Sequence, residues 1–200
     1  VMNNNGAPDS YDIAVRQFQQ QILPGGIWND LGLTTQDLPA TTVWSYGPEA
    51  DAVPDVAPDP GSQFNYPAYT IETISDAPVS VRWINDLVDE NGNYLPHLLP
   101  VDQTVHWANP PTVCRDGVSR TDCAGMSQTP YTGPVPIVTH VHGAHVPADS
   151  DGYPEAWYLP AAADIPEGNS SQGTFYDSVH PAPPGAAVFE YPNDQPATTL

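Results

Sequence analysis

Thr139-His140-Val141-His142-Gly143, followed by Asp149-Ser150-Asp151-Gly152-Tyr153-Pro154-Glu155-Ala156-Trp157, is the stretch on which the reading of this chain turns. Residues 135–141 have the β-branched content of a strand. On a strand, residues two apart face the same way, with Cα atoms about 6.6 Å apart at ~3.3 Å per residue. His140 and His142 then point together. That spacing suits ligation of two neighbouring metal ions, or of one ion by convergent rings, and imidazole is a good ligand for copper, zinc, iron and nickel. Gly143 lets the backbone turn closely behind them. An isolated His-x-His is more often a pair of surface or packing residues. Metal-dependent hydrolases of the barrel type also place the pattern after a strand, but their folds need alternating helices.

Working outward, the same strand character marks 11–19, 41–46, 69–74, 79–84 and 187–191, each bounded by Gly, Pro, Asn or Asp. No convincing helix is found, in keeping with 25 prolines in 200 residues. The expected fold class is all-β, a sandwich or barrel. Residues 49–61 and 160–173 lack periodicity and read as long surface loops, whereas 89–93, Asp-Glu-Asn-Gly-Asn, has hairpin-turn chemistry. There is no internal repeat, and the length fits one domain over residues 1–200.

The charge is lopsided, with 24 acids against four arginines and a net charge of −20. Arg16, Arg82, Arg115 and Arg120 cannot supply the basic footprint that phosphate binding needs, which excludes nucleic acid and anionic membrane surfaces as expected partners. The acidity reads as a solubility device for an extracellular or salt-exposed protein. No stretch approaches the ~20 apolar residues of a membrane span. Residues 1–6 lack the apolar core of a signal peptide, so the chain reads as already processed. Cys114 and Cys123 flank a polar, turn-rich segment and are expected to form a local disulfide worth roughly 2–3 kcal/mol, which implies an oxidising compartment and secretion. The rival reading, a pair of metal thiolates, fits no familiar zinc spacing.

The extended string around the two histidines resembles the multicopper oxidases, in the branch of spore-coat laccase, phenoxazinone synthase and, more distantly, bilirubin oxidases. The resemblance includes Leu98-Leu99-Pro100-Val101-Asp102 and Val81-Arg82-Trp83-Ile84-Asn85-Asp86. Weaker similarity runs from Gln17-Phe18-Gln19-Gln20-Gln21 through Thr42-Val43-Trp44-Ser45-Tyr46-Gly47. It implies a cupredoxin-like Greek-key β-barrel, the N-terminal one of three. Copper would be the cofactor: a mononuclear type 1 ion that takes electrons from a small reducing substrate, and a trinuclear cluster that spends them on reducing dioxygen to water. By position in the motif, His140 would ligate the type 2 copper and His142 one of the type 3 pair. Asp151 matches an acidic residue placed near the cluster to deliver protons, a task for which burial and metal charge can tune a carboxylate. The plainer alternative is that Asp151 only forms a turn with Gly152. His145 is expected to have a structural role or to support the ligands from behind, and His97, His106 and His180 lie outside any ligand motif.

The resemblance also implies what this chain lacks. A trinuclear site takes eight histidines in four His-x-His pairs, and one such pair is present among six histidines. Neither cysteine sits in a type 1 copper motif. The expectation is therefore that the barrel is completed, and the cluster and type 1 site supplied, by cupredoxin domains outside this chain, on a second polypeptide made by proteolytic nicking or separate synthesis; an open β edge invites such a partner. The plainer alternative is that the sequence is a fragment of one longer chain. The chain alone is expected to be inactive. The competing reading is a non-catalytic copper-binding β-sandwich fragment or binding module.

Overall fold

A computed structural model describes residues 9–22, 39–53, 62–101, 131–179 and 182–196. Among them the regular elements are four strands, β1 (Asp9–Gln20), β2 (Thr41–Pro48), β3 (Val79–Asn85) and β4 (Ala186–Tyr191), and two short 3₁₀ turns, Ala148–Ser150 and Thr174–Asp177. No helix among the described residues is long and apolar enough to cross a membrane. The chain divides into two compact units, one of Ile13–Ile71 and one of Val1–Asp12 with Glu72–Leu200.

In the smaller unit β1 and β2 pair antiparallel, in a register running from Ile13 opposite Pro48 to Gln20 opposite Thr41. Val43, Ser45 and Gly47 on β2 are buried while their neighbours are not, the period-two signature of a half-buried strand. Phe64 packs edge-on against Phe18 at 6.0 Å between ring centroids. A β-carbon on Gly47 would stand 2.6 Å from the Phe64 ring, so the absence of one lets that ring lie on the strand. Arg16 closes the other side, its guanidinium 5.2 Å from the Phe64 centroid while donating to the carbonyls of Asp51 and Glu49.

In the larger unit β3 and β4 pair antiparallel, from Val79 opposite Tyr191 to Ile84 opposite Ala186. Val79, Val81 and Trp83 alternate inward with Ser80, Arg82 and Ile84, and they meet Ala187, Phe189 and Tyr191 in the core. The Trp83 indole N–H donates to the Tyr191 hydroxyl at 2.8 Å, which satisfies a polar group that burial would otherwise penalise. At the end of β3 the buried Asn85 amide donates to the carbonyls of Val135 and Tyr158 at 2.8 and 3.1 Å. This side chain fastens two separate segments to the sheet. Ala156, Trp157, Tyr158 and Leu159 are buried to 2% exposure or less, and Tyr158 pairs with the histidine-bearing stretch at Ile137.

The four strands expected at 11–19, 41–46, 79–84 and 187–191 are present with ends shifted by at most a few residues. The hairpin turn at 89–93 is present too: Val88 bridges Tyr94, Gly92 has φ +78°, and the Asp89 carboxylate accepts the N–H groups of Asn91 and Asn93. Two expected strands are not. Residues 69–74 form no ladder and leave Tyr69, Ile71 and Ile74 60–61% exposed; the apolar positions 69, 71 and 74 break the two-residue phase, so the segment has no single face to bury. Residues 135–141 contribute one bridge, Ile137 to Tyr158, in place of a continuous strand. The expected surface loop at 160–173 is free of strand apart from bridge residues at Asn169 and Gln172; that at 49–61 is described only to residue 53.

Candidate metal centre

The bridge at Ile137 consists of two reciprocal backbone bonds, Ile137 N–H to Tyr158 O at 3.1 Å and Tyr158 N–H to Ile137 O at 3.0 Å. Two residues on, buried Thr139 places its hydroxyl 3.2 Å from that of Tyr158. Beyond this anchor the chain leaves the protein body, and His140, Val141 and His142 are exposed. The pairing partner runs out before the histidines, which is why the expected strand is short. The histidine rings nevertheless stand side by side, their centroids 6.2 Å apart and their planes inclined at 77°.

The loop that follows returns to His140. Ala148–Ser150 makes one 3₁₀ turn, closed by Ser150 N–H donating to Pro147 O at 3.0 Å, and Asp151 ends it. Gly152 then takes φ +80°, and a β-carbon there would lie 2.0 Å from the Thr139 carbonyl oxygen. Only glycine allows both the left-handed backbone and this approach. The result sets the Asp151 carbonyl 2.5 Å from His140 Nδ1. A carbonyl has no proton to give, so Nδ1 carries the hydrogen and, in the neutral ring, Nε2 keeps its lone pair. The Asp151 carboxylate stands further off, 3.9 Å from the same nitrogen.

The residues singled out from sequence are thus brought together in part. His140, His142 and Asp151 share one corner of the larger unit, and Asp151 both ends a turn and faces His140. His145 turns elsewhere, its Nδ1 2.8 Å from the Asp194 carboxylate. His97 packs edge-on against Tyr131, and burial lowers its pKa below the usual histidine range. His106, His180, Cys114 and Cys123 lie outside the described residues. Sequence reasoning did not single out Ser150 or the Asp151 backbone carbonyl; the Asp151-Gly152 pair was the one available signal, and it shows a turn without showing what the turn touches.

Two imidazoles, one with its outer nitrogen fixed as a lone-pair donor, are a fitting part of a copper ligand set. They are not a whole one. Among the described residues no group of three or more His, Cys, Asp or Glu side chains gathers to hold an ion.

A largely β chain of this kind defines a cupredoxin-like protein, and its paired histidines stand side by side. No protein-family model matches the chain. It is 33% identical over 165 residues to a laccase of Bacillus stratosphericus, which covers 82% of this chain and 21% of that protein. It is 31% identical over 166 residues to a laccase of Haloferax volcanii, covering 82% and 20%. It is 34% identical over 125 residues to multicopper oxidase LPR1 homolog 1 of Oryza sativa subsp. japonica, covering 62% and 15%. The chain belongs to the multicopper oxidase family, and copper is the metal that membership implies. It spans about a fifth of the length of the curated laccases it matches.

Proposed function

We propose that this chain is part of a laccase-like multicopper oxidase that couples oxidation of phenolic or aminophenolic compounds, pigments or metal ions to reduction of dioxygen to water. His140 supplies its outer nitrogen to the type 2 copper and His142 a nitrogen to one type 3 copper of a trinuclear cluster. The observation that carries this reading is the adjacency of the two rings with the His140 Nδ1 proton held by the Asp151 carbonyl. Laccases are among the relatives that match the same chain.

When bound, the coppers supply one-electron transfer and the reduction of dioxygen. The chain's own residues do the rest of what is assigned to them here. The Thr139–Tyr158 anchor and the Gly152 turn orient His140. The Asp151 carboxylate, partly exposed and beside that ring but not bonded to it, is free to take a proton from water and pass it toward reduced oxygen. One His-x-His pair cannot hold a trinuclear cluster, so the other ligands, and the type 1 site, come from further cupredoxin domains; residues 1–200 belong to the first such domain. Secretion and a Cys114–Cys123 disulfide complete the proposal. Asp151→Asn tests the proton role: it keeps the backbone carbonyl, and is expected to lower dioxygen turnover by about 100-fold, the low end of general acid–base contributions, with copper content unchanged. Unchanged turnover would contradict that role.

A further inference from the structure

We infer that Ser150 is a positioning residue for the copper ligand His140, acting through the backbone carbonyl of Asp151 rather than through any side chain of its own at the metal; this rests on the reading of His140 as a ligand. Ser150 is 3% exposed, although it sits in a loop flanked by exposed Ala148 and Asp149. Its hydroxyl accepts the Glu190 backbone N–H at 2.9 Å. Glu190 lies opposite Ser80 in the β3–β4 ladder, and its N–H is turned away from β3 toward the 3₁₀ turn. A loop side chain therefore takes the place of a neighbouring strand at this edge and docks the turn Ala148–Ser150 on β4. The hydroxyl proton is directed at the Asp149 carboxylate, 3.3 Å away, which leaves an oxygen lone pair for the N–H.

The next residue along is Asp151, whose carbonyl receives the His140 Nδ1 proton. Two supports thus converge on one ring. Tyr158 fixes the backbone that carries His140, through the Ile137 bridge and the Thr139 hydroxyl. Ser150 fixes the acceptor that orients its imidazole. With both in place Nδ1 is the protonated nitrogen and Nε2 faces outward, while the Asp151 carboxylate, 3.9 Å from Nδ1, takes no part in the choice. Groups that hold the far nitrogen of a metal-bound histidine typically govern affinity by about 10- to 100-fold. Ser150 acts one residue removed from that group, so the low end of the range applies.

The test uses the intact protein that carries this chain, with Ser150→Cys, whose sulfur nearly preserves shape but accepts weakly, and Ser150→Ala, Asp151→Asn and His140→Ala beside it. Two readouts are taken: nitrogen-15 NMR of the metal-free protein, which tells which His140 nitrogen bears the proton, and copper retention against a chelator together with the Cu(II) EPR spectrum. Both Ser150 variants are expected to mix the His140 tautomers, to retain type 2 copper about 10-fold less tightly and to shift its hyperfine splitting; Asp151→Asn is expected to leave the tautomer as it is. Wild-type tautomer, retention and spectrum in Ser150→Cys would overturn the inference, as would a tautomer change produced by Asp151→Asn alone. If His140→Ala removes no copper, the ligand reading itself fails, a separate result that the tautomer measurement on metal-free protein does not depend on.

Discussion

Gly152→Ala perturbs the point where the turn meets the histidine stretch, and its cost can be worked from two contributions. A β-carbon at φ +80° places an L-residue in the left-handed region, at about 1–2 kcal/mol. The same β-carbon would lie 2.0 Å from the Thr139 carbonyl oxygen, where ordinary contact begins at 3.4 Å, so backbone must move by about 1.4 Å (3.4 less 2.0). Thr139 cannot yield cheaply, since Ile137 and its own hydroxyl hold it to Tyr158. Overpacking of this kind adds about 1–3 kcal/mol. The expected total is roughly 2–5 kcal/mol, with the displacement falling on Asp151 and loosening its hold on His140. Gly92→Ala is the internal control: φ is +78°, yet nothing lies within 4 Å of the added carbon, so only the first contribution, about 1–2 kcal/mol, applies. Urea unfolding followed by tryptophan fluorescence measures both variants against the parent. Equal losses in the two would refute the claim that close packing of the turn on Thr139 shapes this corner.

Asn85→Ala removes the donor to two buried carbonyls, those of Val135 and Tyr158, and is expected to destabilise by roughly 2–4 kcal/mol in the same urea assay. Burial pushes the Tyr176 hydroxyl from 10.0 up to about 12. The folded state therefore keeps a proton that the unfolded chain releases, and the associated stability is complete below pH 10 and lost as pH rises toward 12; melting temperatures across that window should fall less steeply in Tyr176→Phe. His97 works in the other direction, because burial lowers its pKa below 6.5: the unfolded state binds the extra proton, so stability is lost as pH falls beneath that value, and His97→Gln should reduce the acid slope.

The strands were legible wherever one face had a core to meet. Val79, Val81 and Trp83 on β3, or Phe189 and Tyr191 on β4, carry a two-residue period that matches their burial. Residues 69–74 share the composition without the phase, and composition alone does not make a ladder. In 135–141 the signal was sound at Ile137 and Thr139, but strand formation also requires a partner backbone, and Tyr158 supplies one for a single bridge. The two histidines and Asp151 could be picked out from their order in the chain. The bond from Ser150 to Glu190, forty positions away, could not be, because nothing in a serine's local sequence shows that a distant strand edge will need an acceptor. For the same reason the role of the Asp151 carbonyl was hidden behind its more conspicuous carboxylate.

The central claim is that His140 and His142 are copper ligands in a larger oxidase. Native mass spectrometry with copper analysis, on the purified parent and on the His140→Ala, His142→Ala double variant, tests it most directly. The account predicts a parent assembly that includes further cupredoxin domains and binds about four coppers, the three of the cluster and the one of the type 1 site, with the cluster coppers lost selectively in the variant. A parent chain without copper, or a variant that keeps the full complement, would contradict it.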